Sequence, residues 1–187
     1  VNFEFGEVKS ISKTNNIFEV TTEFDTFYDK AVILATGAKH RHIGVDKEDE
    51  LVGHGLSYCA VCDGFFYRKK DVVAVGGGNS ALEESLYLAS IVNKLTIVIR
   101  RDVFIAEASI VDKVLKTPNI EVVYNHIPDS LILENNRIVG LKVKDVNTNI
   151  TKDIPCSGIF PYIGADACSD FVPQEILDEK GYIKVNQ

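Results

Sequence analysis

Several things are missing from this chain of 187 residues, and each absence removes a class of function. No apolar run approaches the about 20 residues that a membrane-crossing helix needs; residues 31–35 are among the longest. The N-terminus lacks the basic-then-apolar pattern of a secretory signal, so no membrane partner and a cytoplasmic setting are expected. Basic clusters are scarce as well. With 20 Lys and Arg against 27 Asp and Glu the net charge is −7, and no basic stripe is available to neutralise phosphates. A nucleic-acid partner is therefore not expected. A starting methionine is also absent: the chain opens on Val1 and runs into an expected strand with no turn or cap, which leads us to expect a fragment.

What is present is ordinary. A composition of 45% hydrophobic and 25% charged residues suits a globular protein of one domain with appendages, or of two small ones. Residues 4–10, 17–22 and 31–34 are β-branched or alternating and read as strands, with a turn at Thr14-Asn15-Asn16. The last of them runs into Ala35-Thr36-Gly37-Ala38. Residues 39–55 then read as a polar connector and the best domain boundary. From Asp71 a βαβ unit begins: strands at 71–75, 95–99 and 120–124, with helices at 80–91 and 106–116. Afterwards the period becomes two, and strands at 131–133, 138–146 and 151–154 form a meander before a final apolar strand at 158–163. The expected class is α/β, a Rossmann-like three-layer nucleotide-binding domain with a β-meander.

The four cysteines divide into a close pair and two outliers. In a reducing compartment a close pair reads as catalytic or metal-binding rather than as a structural staple. Cys59-Ala60-Val61-Cys62 has the spacing that permits a reversible disulfide and a lowered thiol pKa. Zinc would need two further ligands. Cys156 and Cys168 are separated by eleven residues, and His40, His42, His54 and His126 show no ligand spacing, so no metal site is expected. Cys156 and Cys168 read as small buried or half-buried residues. For Asp63 two readings stand side by side: an acid or base toward a leaving thiolate, or the first half of a turn-forming Asp-Gly. Phe65, Phe66 and Tyr67 read as packing residues.

Gly76, Gly78 and Ala81 fit G-x-G-x-x-A between an apolar strand and an amphipathic helix. The first glycine permits the tight turn, the second lets a pyrophosphate approach the backbone, and the small third residue lets helix and strand pack closely. Asn79 and Ser80 open the helix, whose N-terminus offers free N–H groups to phosphates. The second strand of the unit decides the dinucleotide. An Asp or Glu about 20 residues past the glycines binds a ribose 2′-OH, whereas arginine suits a 2′-phosphate. Arg100-Arg101 stand there, with Asp102 after them, so NADPH is expected rather than NADH.

The segments C-A-V-C-D-G-F-F-Y, V-G-G-G-N-S-A-L-E-E-S-L-Y-L and I-R-R-D-V-F, in this order, resemble the low-molecular-weight bacterial type of thioredoxin reductase over nearly the whole chain. G-I-F-P-Y-I-G, G-Y-I-K-V and A-T-G-A at 35–38 are similar to that family as well. The resemblance implies a flavoprotein in which NADPH reduces FAD, the flavin reduces the disulfide and the dithiol reduces thioredoxin. It implies that Cys62 faces the flavin, that Cys59 exchanges with the partner, that Asp63 is the acid and that Thr36 and Gly37 contact cofactor. The complete protein would be a homodimer, with hinges near residues 39–45 and 164–170. Residues 1–40 would be part of a flavin-domain β segment, 41–166 the NADPH-binding domain with the C-x-x-C, and 167–187 a partial return to the flavin domain.

The chain departs from the family pattern in two ways. Ile99 and Ile105 stand where the family often has His and Arg, which would weaken the 2′-phosphate clamp. The family's FAD-binding G-x-G-x-x-G and its closing G-D motif are both absent. Two nucleotide domains ask for roughly 300 residues. The expectation is therefore a flavin-free fragment, inactive alone. Two other readings stay open: a non-catalytic NADP(H)-binding module, and a flavoprotein disulfide reductase serving a peroxiredoxin, against which the arginine pair argues.

Overall fold

A computed structural model of the chain describes residues 2–185. It resolves into two compact units, one formed by the described residues up to Lys39 and from Ala165 onward, the other by His40–Gly164.

In the first unit β1 (Val8–Thr14), β2 (Ile17–Thr22) and β3 (Thr26–Asp29) form an antiparallel sheet in that order. Asn15 and Asn16 turn the chain between β1 and β2 with φ of 51° and 63°, the left-handed region that asparagine tolerates best after glycine. A short strand, β4 (Ala38–His40), follows. Two expectations need correction. The first strand starts at Val8 rather than at residue 4. Residues 31–34 form no strand, and Ile33 is 93% exposed. A β-branched run becomes a strand only where a neighbour completes its ladder, and no described strand pairs with this one.

The second unit opens with two short helices, α1 (Glu48–Leu51) and α2 (Ala60–Asp63), and a 3₁₀ turn at Gly64–Tyr67. The nucleotide-fold elements follow: β5 (Asp71–Val75), α3 (Asn79–Ala89), β6 (Lys94–Val98), α4 (Ala108–Lys116) and β7 (Ile120–Val123). The meander is β8 (His126–Glu134), β9 (Arg137–Asp145) and β10 (Thr151–Pro155), after which β11 (Gly158–Pro161) returns to the parallel sheet. That sheet has the order β11-β5-β6-β7. In the first unit again, β12 (Ala165–Ala167) pairs with β4.

The parallel strands read as continuous apolar runs because both faces of their sheet are covered. Val72, Ala74, Leu95 and Ile97 pack with Leu82 and Leu88 of α3 and Val114 of α4. Val73, Val75, Val98 and Ile159 pack on the other side with Ile138, Leu141 and Val143 of β9 and Ile154 of β10. The result is helices, parallel sheet and meander in three layers, the expected Rossmann-like α/β architecture. Residues 39–55 are more than a connector. They hold α1, and Val45, Glu48 and Leu51 within them are buried.

Candidate active site

The cysteine pair is positioned by a strap of backbone. Residues 55–57 run beside β11, where Ile159 N–H donates to Gly55 O (2.8 Å) and Ser57 N–H donates to Ile159 O (3.0 Å). The chain leaves that strap directly into the redox turn. Cys59 caps α2, its Sγ accepting from Cys62 N–H at 3.1 Å, and the two cysteines form a disulfide with Cα atoms 5.3 Å apart. Cys59 is half-buried and Cys62 exposed. A backbone donor aimed at one sulfur favours its thiolate over the thiol once the bond is reduced. Ala60 between them is fully buried in the same cluster as Leu82 and Leu88, so the turn is seated on α3.

Asp63 is held by a residue that sequence reasoning passed over. Ser57 Oγ donates to Asp63 Oδ2 at 2.6 Å and accepts from Cys59 N–H at 3.1 Å. One hydroxyl thus ties the carboxylate to the backbone of the first cysteine. The only signal for it was a hydroxyl residue two positions before Cys59, the spacing of a local side-chain turn. Tyr58, also missed, donates to Glu48 Oε1 at 2.9 Å. Burial first, and then the Glu48 carboxylate, hold its phenol above the ordinary tyrosine range.

At the C-terminal end of the parallel sheet lies the glycine turn. Gly76 has φ +142°, and a Cβ there would stand 2.3 Å from Tyr162 O and 3.1 Å from the Ala81 Cβ. Glycine and a small residue at 81 are both required for the approach. Gly78, by contrast, opens outward: a Cβ on it would meet nothing nearer than Ile105 O at 4.0 Å. Asn79 and Ser80 are exposed at the start of α3. Asn79 Oδ1 accepts from Glu107 N–H at 2.8 Å, and Ile105 N–H donates to Gly77 O at 2.8 Å, so residues 105–107 brace the turn. Arg100 and Arg101 are exposed just past β6, at the same end of the sheet because β5 and β6 run parallel.

The remaining predicted residues fall elsewhere. Thr36 and Gly37 belong to the first unit, where Gly37 has φ +69° and its carbonyl accepts from Cys168 N–H at 3.1 Å. Cys156 is buried and Cys168 half-buried, and both are free thiols. Burial pushes the Cys156 thiol up to about 12, with the nearby Asp71 carboxylate adding to it and the Gly158 N–H opposing. Phe65 and Phe66 correct the packing expectation, being 67% and 70% exposed beside the disulfide. Of the three aromatics only Tyr67 packs, edge-on against Phe160 with ring centres 5.2 Å apart. Among the described residues no group of three or more His, Cys, Asp or Glu is arranged to hold a metal ion, and no helix is long and apolar enough to cross a membrane.

A parallel nucleotide fold with a disulfide seated on its first helix is the arrangement of a pyridine nucleotide-disulphide oxidoreductase domain. The chain belongs to the pyridine nucleotide-disulphide oxidoreductase family, which it matches over residues 1–187. It is similar to the thioredoxin reductase of Treponema pallidum, at 38% identity over 96% of this chain and 58% of that protein. Among solved structures it is similar to the Lactococcus lactis thioredoxin reductase in its FR conformation, with a TM-score of 0.85 and 35% identity over 98% of this chain and 61% of that one. A Giardia duodenalis thioredoxin reductase matches with a TM-score of 0.87 and 31% identity over the same shares of the two chains, 98% and 61%. The chain spans about three fifths of the length of these relatives.

Proposed function

We propose that this chain is the NADPH-binding and dithiol-bearing part of a thioredoxin-disulfide reductase. The observation that carries the reading is the Cys59–Cys62 disulfide on a unit whose parallel sheet presents a glycine turn and an arginine pair at one end. The residues fit a nicotinamide dinucleotide phosphate. The open face at Gly78 and the N-terminus of the eleven-residue α3 suit the pyrophosphate, and the exposed Arg100 and Arg101 suit a 2′-phosphate. The chain contains no second G-x-G-x-x-G/A, so in this proposal FAD is held by the part of the complete protein that this chain does not span. When bound, the flavin supplies a two-electron relay between nicotinamide and disulfide.

The residues of this chain then perform thiol–disulfide exchange. With Cys59 and Cys62 reduced, the Cys59 thiolate attacks a thioredoxin sulfur, forming a mixed disulfide and expelling a thioredoxin thiolate. The Cys62 thiolate attacks Cys59 Sγ, restoring the Cys59–Cys62 bond and releasing the second thioredoxin thiolate. Two electrons leave this protein and two protons are needed by the departing thiolates. They are the two protons given up by the Cys59 and Cys62 thiols, and in this proposal Asp63, held by Ser57, relays them one at a time. In the complete protein this reading includes a cytoplasmic homodimer.

Two measurements on this chain test the proposal. Calorimetry should show NADPH binding that weakens far more than NADH binding on replacing Arg100 and Arg101 by Ala, since each loses charge-assisted bonds of ~1.5–3 kcal/mol. Equal losses for both nucleotides would refute the assignment. Glutathione buffers should reduce and reoxidise the Cys59–Cys62 pair reversibly. A second reading is a nucleotide-binding module without catalysis, for which the glycine turn between β5 and α3 would suffice. That reading gains if NADPH binds while the cysteine pair fails to exchange.

A further inference from the structure

Among the described residues Glu48 is the one carboxylate or basic side chain that is buried, at 4% exposure. It lies on a four-residue helix rich in acidic neighbours, where an exposed position would cost nothing. A carboxylate withdrawn from water must be compensated by donors, and Glu48 has three. Oε1 accepts from Ile43 N–H at 2.9 Å and from Tyr58 Oη–H at 2.9 Å, and Oε2 accepts from Gly44 N–H at 3.0 Å. Two further contacts repeat the pattern. His42 Nε2 lies 3.2 Å from Asp49 Oδ1, and the His40 ring stacks on the Tyr58 ring at 4.7 Å with 7° between planes. The first residues of the second unit, where the chain enters it, are thereby tied to α1 and to the residue directly before Cys59.

We propose that Glu48 is a positioning residue for the redox pair, fixing Tyr58, and through it the backbone at Cys59, against residues 43–44. The inference rests on the dithiol reading and adds a residue to it. Its consequence follows from the turn itself. Cys59 N–H donates to Ser57 Oγ and Cys62 N–H to Cys59 Sγ, and both bonds depend on how the backbone at 57–59 is held. If Tyr58 loosens, the amide aimed at Cys59 Sγ loses its alignment, and the thiolate form of the reduced pair loses that donor relative to the disulfide. The thiol–disulfide equilibrium then moves.

The test measures that equilibrium on the whole chain for the parent, Glu48→Gln, Tyr58→Phe and the double variant. Each is equilibrated with glutathione and glutathione disulfide and quantified by alkylation and mass spectrometry. Protein disulfide plus two glutathione thiols gives protein dithiol plus glutathione disulfide, so the reaction balances. Both single variants should shift the constant in the same direction by about threefold or more, and the double variant should shift it little beyond the larger single effect, because the two groups share one bond. Amide exchange at Ile43 and Gly44 should quicken in Glu48→Gln. Val172→Ala, a truncation of a buried side chain outside the cluster on which Tyr58 and Ile43 pack, controls for general destabilisation and should leave the constant unchanged. If Glu48→Gln does not fold, Tyr58→Phe, which removes a single hydroxyl, carries the test. An unchanged constant in the variants, additive effects, or an equal shift in Val172→Ala overturns the positioning role. A parent pair that never exchanges with glutathione overturns the dithiol reading itself, a different and recognisable result.

Discussion

Replacing Ser57 by alanine removes one oxygen and, on the geometry above, releases the Asp63 carboxylate, the proposed proton relay, without touching it. The lost groups are a 2.6 Å bond to Asp63 Oδ2 and a 3.1 Å bond from Cys59 N–H. A hydrogen bond to a charged group contributes ~1.5–3 kcal/mol, and the orphaned amide costs less than a fully buried one because Cys59 is half-buried. The expected loss of stability is therefore about 2–3 kcal/mol, read as a shift of the urea midpoint at constant slope. Ser57 is 3% exposed, so water has little access to take the place of the hydroxyl. For kinetics, a positioned acid or base contributes about 10²–10⁴-fold, and a freed carboxylate keeps only part of that. We expect Ser57→Ala to slow reoxidation of the Cys59/Cys62 dithiol by a small aromatic disulfide by about tenfold or more, and Asp63→Asn to slow it at least as much. The assay is the release of the chromophoric thiol under stopped flow. Should Asp63→Asn be slow while Ser57→Ala keeps the parent rate, Ser57 does not position the acid. Should both keep it, Asp63 moves no proton in the exchange and is a turn residue.

Three further outcomes are expected. Gly76→Ala should cost about 1–3 kcal/mol or more and abolish nucleotide binding, because its Cβ would fall 2.3 Å from Tyr162 O at φ +142°; an unchanged melting temperature would contradict the close approach. Cys156, raised from 9.0 to about 12 by burial, should resist alkylation at pH 8 in the folded chain. Its neutral thiol favours the fold fully below pH 9, and that contribution should fade by up to about 1.4 kcal/mol per pH unit as pH climbs from 9 toward 12, a slope that Cys156→Ser should remove. Single replacement of Cys59 or Cys62 by Ser should block reversible disulfide formation, since Cys156 and Cys168 are free thiols outside the turn; mapping that pairs either with the surviving cysteine would refute the arrangement.

How the chain divides between legible and illegible parts follows from the range of the forces involved. The strand at 71–75 was readable to the residue, and α3 nearly so, because a two-sided apolar strand, a glycine turn and a 3.6-residue stripe are all local patterns. Residues 31–34 carry an equally good local pattern and form no strand, because pairing is decided by another stretch of backbone. Phe65 and Phe66 were read as packing since large aromatics usually bury; their place on a short 3₁₀ turn turns them outward instead. Residues 39–55 read as a polar connector for their charge and glycine. Glu48 is buried within them only because amides at 43 and 44 and a phenol at 58 converge on it.

By itself the sequence determined the chemistry on offer: two cysteines at a spacing that closes a small ring, glycines where a turn must be tight, and arginines beyond the second strand. These are properties of residue type and short spacing, which the chain carries in any conformation. Only the tertiary structure decided which polar groups support that chemistry. Ser57 reaches Asp63, and Glu48 reaches Tyr58, across six and ten positions of sequence. Their partners are selected by β11, α1 and α3 folding around the turn, and a hydrogen bond a few tenths of an ångström too long would not be one.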